Sequence, residues 1–317
     1  MSISISESSS FSYPKLVFIV PYRDRLSHKF FFSQYMTFNL QNRDDYEIYF
    51  SHQDDKRPFN RGAAKNIGFM AIKHKYPDHY KKITFVFNDI DTIPFTNILD
   101  YETILGTVKH FYGFDYALGG IISIKGNDFE KINGFPNYWG WGMEDAILQK
   151  RCQMFRLKID RSHFYSVGSP EILHLFDGVS RIINKKETKK SKTDNGLDGI
   201  KTLFKVKYYI DKKSSNKEDE SYSYSHVINN KYLFMINILD FYCSSNPDPE
   251  NEKFYDYDLR EPTSKIINTE REKNFKQLAN SNWAKIPFYP TLEEKKEMIK
   301  KFGLNKTNEL IEQTLNA

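Results

Sequence analysis

Apolar and polar positions alternate along this chain in blocks that predict a layered α/β fold. Residues 16–20 (LVFIV) are an unbroken apolar run of the kind buried on both faces of a sheet, and Pro21 stops it. Over residues 26–40 apolar side chains recur at helical spacing through Phe30, Phe31, Tyr35 and Phe38, which predicts a helix. Residues 46–50 read as a second strand. Ala63, Ile67, Met70 and Ala71 share one face and give a second helix after Gly62; residues 83–87 give a third strand. This β-α-β-α-β order predicts a parallel, doubly wound sheet. The segment ALGGIISI (117–124) predicts another strand, with Gly119 and Gly120 at its entrance marking a bulge or a close backbone approach by a ligand. NGFPNYWGWGMED (133–145) is too rich in Gly, Pro and Asn for regular structure, and a helix follows over about 144–155. No internal repeat is present.

The ends read differently. Residues 1–14 are Ser-rich and expected to be disordered. KKETKKSK (185–192) is a charge run, and DKKSSNKEDESYSYS (211–225) reads as a linker or long loop. The last stretch, 291–317, predicts one or two amphipathic helices, the first with a capping box of Thr291 and Glu294. We therefore expect a catalytic domain over 15–210 and an extension over 211–317 that completes or flanks it.

Composition narrows the class. With 27% charged and 39% hydrophobic residues, the 317-residue chain is globular. Its net charge of +5 suits an anionic small ligand but is too dispersed for nucleic acid. The two cysteines, Cys152 and Cys243, outline neither a disulfide framework nor a zinc site. The longest apolar stretches, LVFIV and YLFMINIL, are too short to span a bilayer, and MSISISESSSFSYPK is not a secretory signal. The expected location is cytoplasmic. No feature predicts an oligomeric state.

The chemistry concentrates in FVFNDIDTIP (85–94), where Asp89 and Asp91 follow a buried-type strand directly. In an open α/β sheet ligands bind beyond the carboxyl ends of strands. Two carboxylates there suit a hard divalent cation carrying phosphate; a solvated loop is the competing account.

Five blocks together, VPYRDR (20–25), FNRGAAKNIGF (59–69), FVFNDIDTIP, INGFPNYWGWGMEDAI (132–147) and EILH (171–174), resemble the β-1,4-galactosyltransferase family, glycosyltransferase family 7. The similarity covers roughly 15–210. It implies a GT-A fold with a mostly parallel, Rossmann-like central sheet, a UDP-sugar donor, manganese, and inversion at the anomeric carbon as the sugar passes to a glycan or glycoconjugate acceptor. By the resemblance Pro21, Tyr22, Arg23 and Arg25 receive the uridine nucleotide, with Phe59 and Arg61 a second contact ahead of an anion-favouring helix N-terminus. Asp89 organises the donor, with Ile90 and Gly120 beside it; Lys109 is a looser match to a donor-contacting lysine. Asp91 and His174 match metal ligands. Glu171 stands where the family has methionine, a hard carboxylate that suits Mn²⁺ and raises tolerance for Mg²⁺. Asp145 matches a general base and Glu144 a residue that orients it or the acceptor. Trp141 matches a mobile tryptophan that covers the donor, Trp139 one that packs, and residues 172–193 a closing lid.

Galactose-transferring members carry a tyrosine two residues before the glycine pair; here Ala117 replaces it, leaving room for an N-acetyl group and so for UDP-GalNAc. Animal members are membrane-anchored and disulfide-bonded, so the chain resembles a soluble microbial or viral member, or a domain expressed alone. Two other classes are a catalytically silent nucleotide- or glycan-binding module of the same fold, and a metal-dependent nuclease. The presence of Asp91, Asp145 and His174 weighs against the first, and the dispersed charge against the second.

Overall fold

Seven consecutive buried residues, Leu16–Tyr22, form strand β1, and their alternation builds the core on both sides of a sheet. Val17 and Ile19 point to one side, where they meet Ala63, Ala64, Ile67 and Ile72. Leu16, Phe18 and Val20 point to the other, against Phe32 and Met36. Each fully buried side chain of this size contributes about 1.5–3 kcal/mol. Helix α2 (Arg61–Lys75) thus covers one face and α1 (Leu26–Asn39) the other. The structure is a computed structural model and describes residues 13–55, 57–140, 142–175, 185–211, 231–244 and 292–315.

The remaining elements are β2 (Tyr46–Gln53), β3 (Thr84–Asn88), β4 (Thr92–Pro94), β5 (Thr107–Gly113), β6 (Ile121–Lys125), α3 (Gly126–Lys131), α4 (Glu144–Met154), β7 (Lys158–Asp160), β8 (Tyr165–Ser166), β9 (Ile172–His174), α5 (Lys185–Lys192), β10 (Phe204–Asp211) and β11 (Leu233–Tyr242). Among the described residues nine strands join in one sheet, in the order β10-β11-β2-β1-β3-β6-β5-β7, with β8 also beside β5. β1, β2 and β3 are parallel neighbours, as the sequence predicts. Beyond β3 the sheet turns mixed, because β6 runs antiparallel to both β3 and β5. The strand predicted from Ala117 starts only at Ile121, since Gly119 and Gly120 belong to the turn that enters it.

The apolar run YLFMINIL supplies most of β11, which lies parallel to β2 and antiparallel to β10. The sheet therefore extends past residue 210. The chain divides into two compact units, residues 1–264 and 265–317. The second contains two contacting helices, Leu292–Phe302 and Leu304–Leu315, joined at Gly303, whose φ of +79° favours glycine. The expected Ser-rich tail (save its last two positions), nearly all of the expected linker, and Thr291 of the expected capping box lie outside the described residues. Among the described residues no helix is long and apolar enough to cross a membrane.

Candidate active site

The site forms where β3 ends. Asn88 donates from Nδ2 to the carbonyls of Asp89 and Thr92, 2.8 Å each, and the Thr92 N–H reaches the Asp89 carbonyl at 3.1 Å. This side-chain-braced turn fixes the backbone around Asp89 and Asp91. The Asp89 N–H donates to the Gly120 carbonyl at 3.0 Å, which ties the turn to the glycine pair.

Arg61, the first residue of α2, gathers carboxylates from two places. Its Nη2 lies 2.5 and 2.7 Å from the Asp89 oxygens, and its Nη1 lies 2.5 Å from Glu144 Oε1 and 2.9 and 3.0 Å from the Asp145 oxygens. Such forked, charge-assisted bonds are the strong kind. One helical turn on, the Lys65 ammonium sits 3.5 Å from Asp89 and 3.6 Å from Asp145. Burial alone would raise the Asp89 pKa, but the Arg61 and Lys65 cations outweigh it and hold the group at about 2. Glu144 is raised instead, because burial and the neighbouring Asp145 charge prevail over Arg61. Arg61 itself is raised: its burial works the other way, and the Asp145, Asp89 and Glu144 charges overcome it. The resemblance assigns Arg61 to the nucleotide; the structure shows its guanidinium occupied by carboxylates.

Asp145 is also held from above. Gly119 stands so close that a Cβ on it would lie 2.4 Å from Asp145 Oδ2, and the Leu118 N–H donates to the Asp145 carbonyl at 3.1 Å. Gly120 adopts φ +69°, where side chains are strained, and passes against the Tyr112 carbonyl. Met143, preceding α4, also has a positive φ of 73°. The Gly-rich loop before α4 is pinned by amides: Asn137 accepts from Asn66 at 3.0 Å and donates to the Gly199 carbonyl at 2.8 Å. Buried Arg151 on α4 donates to Asp194 at 2.6 and 3.2 Å and to the carbonyls of Gly134 and Asp198.

Asp91 and His174 meet through a small two-stranded pairing in which Thr92 lies opposite His174. The Leu175 N–H donates to the Asp91 carbonyl at 2.7 Å. His174 Nε2 lies 3.9 Å from Asp91 Oδ2, inside the roughly 4 Å that two ligands of one ion can span at bond lengths of about 2.1 Å. A hard oxygen beside an imidazole nitrogen fits manganese. The Asp91 pKa is raised by burial and by Asp89, against the lowering effects of Arg25 and His174.

Glu171 does not join them. It is exposed, it sits in the turn just before β9, and its carbonyl accepts from the Phe95 N–H at 2.9 Å. Among the described residues no three His, Cys, Asp or Glu side chains gather in a set that could hold a metal.

Arg25 reaches Asp91 at 3.2 Å. Arg23 is buried, and its fork donates to the backbone carbonyls of Asp55 (2.8 Å) and Arg57 rather than standing ready for phosphate. Pro21 pairs with Ser51 at the end of β1. The Tyr22 ring packs on Phe50 and His52, with the Lys29 ammonium 5.3 Å above it, and burial, aided by Asp24, pushes its hydroxyl up to about 12. Ile90 is a core residue. The Phe59 carbonyl accepts from the Gly140 N–H at 3.1 Å. Lys109 is committed to Asp100 at 2.7 Å. Trp139 stacks on Phe241, whereas Trp141 and residues 176–184 of the expected lid lie outside the described residues.

Sequence reasoning passed over Lys65, Tyr112 and His110. Lys65 was signalled by its place four residues after Arg61 on a helix. Tyr112 Oη lies 3.5 Å from His174 Nδ1. His110 donates through Nε2 to the Tyr112 and Gly119 carbonyls while Nδ1 accepts from Arg161, and burial first, then Arg161, lowers its pKa to about 4.

Residues 7–103 match the family described as the N-terminal region of glycosyl transferase group 7, and residues 101–175 that described as the N-terminal domain of galactosyltransferase. The chain is 30% identical over 218 residues to a xylosylprotein 4-beta-galactosyltransferase of Caenorhabditis elegans, covering 63% of this chain and 73% of that protein. It is 32% identical over 159 residues to human beta-1,4-galactosyltransferase 4, which is 46% of this chain and 45% of that one. Among solved structures it is similar to the catalytic domain of Drosophila β1,4-galactosyltransferase 7 in complex with xylobiose, with TM-score 0.59, 22% identity, and coverage of 77% of this chain and 100% of that one. A mutant of the fly enzyme in complex with manganese, UDP-Gal and xylobiose gives TM-score 0.55 at 23% identity, over 71% and 94% of the two chains. These likenesses show the GT-A fold. The relatives named are animal proteins, and they lend no support to the expectation of a microbial or viral member.

Proposed function

The chain belongs to the β-1,4-galactosyltransferase family, glycosyltransferase family 7, and from that premise we propose that it moves galactose or N-acetylgalactosamine from a UDP-sugar to a sugar hydroxyl with inversion. The observation that carries this reading is the Arg61 hub. It draws Asp89, from the end of β3, to Glu144 and Asp145, from the start of α4. One carboxylate of the cluster faces the donor and another the acceptor.

Asp145 accepts the proton of the incoming hydroxyl as that oxygen attacks the anomeric carbon and the bond to UDP breaks. Glu144, nearly fully buried, anchors the guanidinium that aims it. Arg25 offers forked donors to the diphosphate. Asp91 and His174 would hold manganese, which supplies positive charge against that growing on the departing UDP. Among the described residues Glu171 is not gathered with this pair.

Ala117, buried beside the glycine pair, stands where galactose-transferring members carry a tyrosine, and this smaller side chain supports UDP-GalNAc as a donor alongside UDP-Gal. Xylose is the first acceptor to test, since the nematode relative is named for a xylosylprotein and the fly structures hold xylobiose. Two buried free thiols, Cys152 and Cys243, are compatible with a cytoplasmic setting.

The test pairs UDP calorimetry, with and without Mn²⁺, with transfer from UDP-Gal and UDP-GalNAc to xylosides and other sugars. Metal-dependent UDP binding, transfer by the wild type and loss of transfer in Asp145→Asn with binding retained support the reading. Tight UDP binding with no transfer to any acceptor favours the silent module, and full transfer by Asp145→Asn overturns the assignment of the base.

A further inference from the structure

We propose that Lys65 is a positioning residue that clamps the general base to the donor-side carboxylate, an inference that rests on the transferase reading above. Its side chain is 1% exposed, and it leaves α2 on the same face as Arg61. The ammonium lies between the two working carboxylates, 3.5 Å from Asp89 Oδ1 and 3.6 Å from Asp145 Oδ1, over the face of the Phe135 ring at 4.6 Å. A lysine is seldom so fully buried unless it is paired.

Charge and geometry both explain its place. Arg61 alone would face three carboxylates, Asp89, Glu144 and Asp145, packed within reach of one guanidinium. Lys65 adds the second cation. Arg61 Nη1 is shared between Glu144 and both oxygens of Asp145, so that contact leaves the Asp145 carboxylate free to swing about it. The Lys65 contact fixes Oδ1 from a second direction, while Gly119 crowds Oδ2. Two anchors on one oxygen and a wall beside the other define the plane of the base. Because Lys65 holds Asp89 with the same ammonium, it also sets the spacing between the carboxylate beside the donor and the one that must meet the acceptor hydroxyl. Phe135, on the loop that leads into α4, floors the ammonium, so the clamp is built from α2, the turn after β3, and the Gly-rich loop before α4 together.

The measurement is a ratio within one protein sample: transfer to the acceptor over hydrolysis of the same UDP-sugar by water. A fraction of misfolded enzyme lowers both rates equally and leaves the ratio untouched. Loss of aim on the base lowers transfer more, because the bulky acceptor tolerates less misplacement than water does. In Lys65→Met the ratio is expected to fall about tenfold, with the KM for UDP-sugar within about twofold of wild type. Lys65→Arg, which keeps the cation, recovers most of the ratio. Should Lys65→Met not fold, Lys65→Gln, polar but uncharged, is read in the same way. An unchanged ratio in Met or Gln variants that transfer normally overturns this proposal alone. A ratio no better in Lys65→Arg than in the uncharged variants overturns the role of the charge. Absence of transfer by the wild type overturns the underlying reading and this inference with it.

Discussion

Replacing Gly119 by alanine tests the placement of the base with one methyl group. The new Cβ would lie 2.4 Å from Asp145 Oδ2 and 2.8 Å from Cγ, whereas an ordinary non-bonded contact is about 3.5 Å. The carboxylate must therefore retreat by about 1 Å, which takes it off Arg61 Nη1, now 2.9 and 3.0 Å away. Gly119 is not in the left-handed region, and the atoms it meets end a side chain that can swing, so the fold should tolerate the change. A displacement of that size at a reacting group costs about 100-fold in rate, or about 2.7 kcal/mol. The assay is kcat for transfer at saturating donor and acceptor with Mn²⁺, beside a thermal melt. Expected are a melt close to wild type and a kcat lower by about two orders of magnitude. In an Asp145→Asn background the same methyl should have no further effect, since the group it displaces no longer accepts a proton. Wild-type kcat in a well-folded Gly119→Ala variant, or full additivity of the two substitutions, would refute the reasoning.

Three more outcomes follow from the geometry. Asp89 is held down to about 2 from 3.8, so its share of stability is complete above about pH 4 and is lost as pH falls through 2. The stability gap between wild type and Asp89→Asn should therefore shrink by about 2 kcal/mol between pH 5 and pH 2 in urea unfolding, and a constant gap would contradict this. Ala117→Tyr should move donor preference from UDP-GalNAc toward UDP-Gal by about tenfold in kcat/KM, and an unchanged preference would remove Ala117 from donor selection. Asp194→Ala strands the buried Arg151 guanidinium and should cost about 3–5 kcal/mol in urea unfolding; a cost below 1 kcal/mol would show that the pair is not what fixes α4.

Local pattern was enough for the first half of the fold. Residues 16–20, 46–50 and 83–87 are short segments dominated by apolar and aromatic side chains, too short for helices, and the period of Ala63, Ile67 and Met70 placed α2 between the second and third strands, as found. The position of β11 was not legible, because pairing between residues 233–238 and 48–53 is a long-range choice that no local signal encodes. The five motif blocks led to Asp89, Asp91, Glu144, Asp145 and His174, and the structure brings these into two neighbouring groups around Arg61 and Asp91. The resemblance implies that Arg61 is a nucleotide contact. Its partners turned out to be set by topology, which delivers three carboxylates to the start of α2. Glu171, matched through the resemblance to the family's methionine, sits in the turn that precedes β9, a placement its residue type does not encode. Lys65 shares the Arg61 face of α2, but a lysine there looks solvated until the acids that neutralise it are in place.

The insertion of β11 between β10 and β2 bears on how the chain is made and cut. During synthesis from the amino end, β2 emerges with its hydrogen-bonding groups on one side unfilled, and they stay so until about two hundred further residues have followed. An open strand rim of this kind invites pairing with other chains. A fragment trimmed at residue 210, however complete its catalytic side chains, would carry that rim permanently and should aggregate, whereas one that ends after Tyr242 closes it.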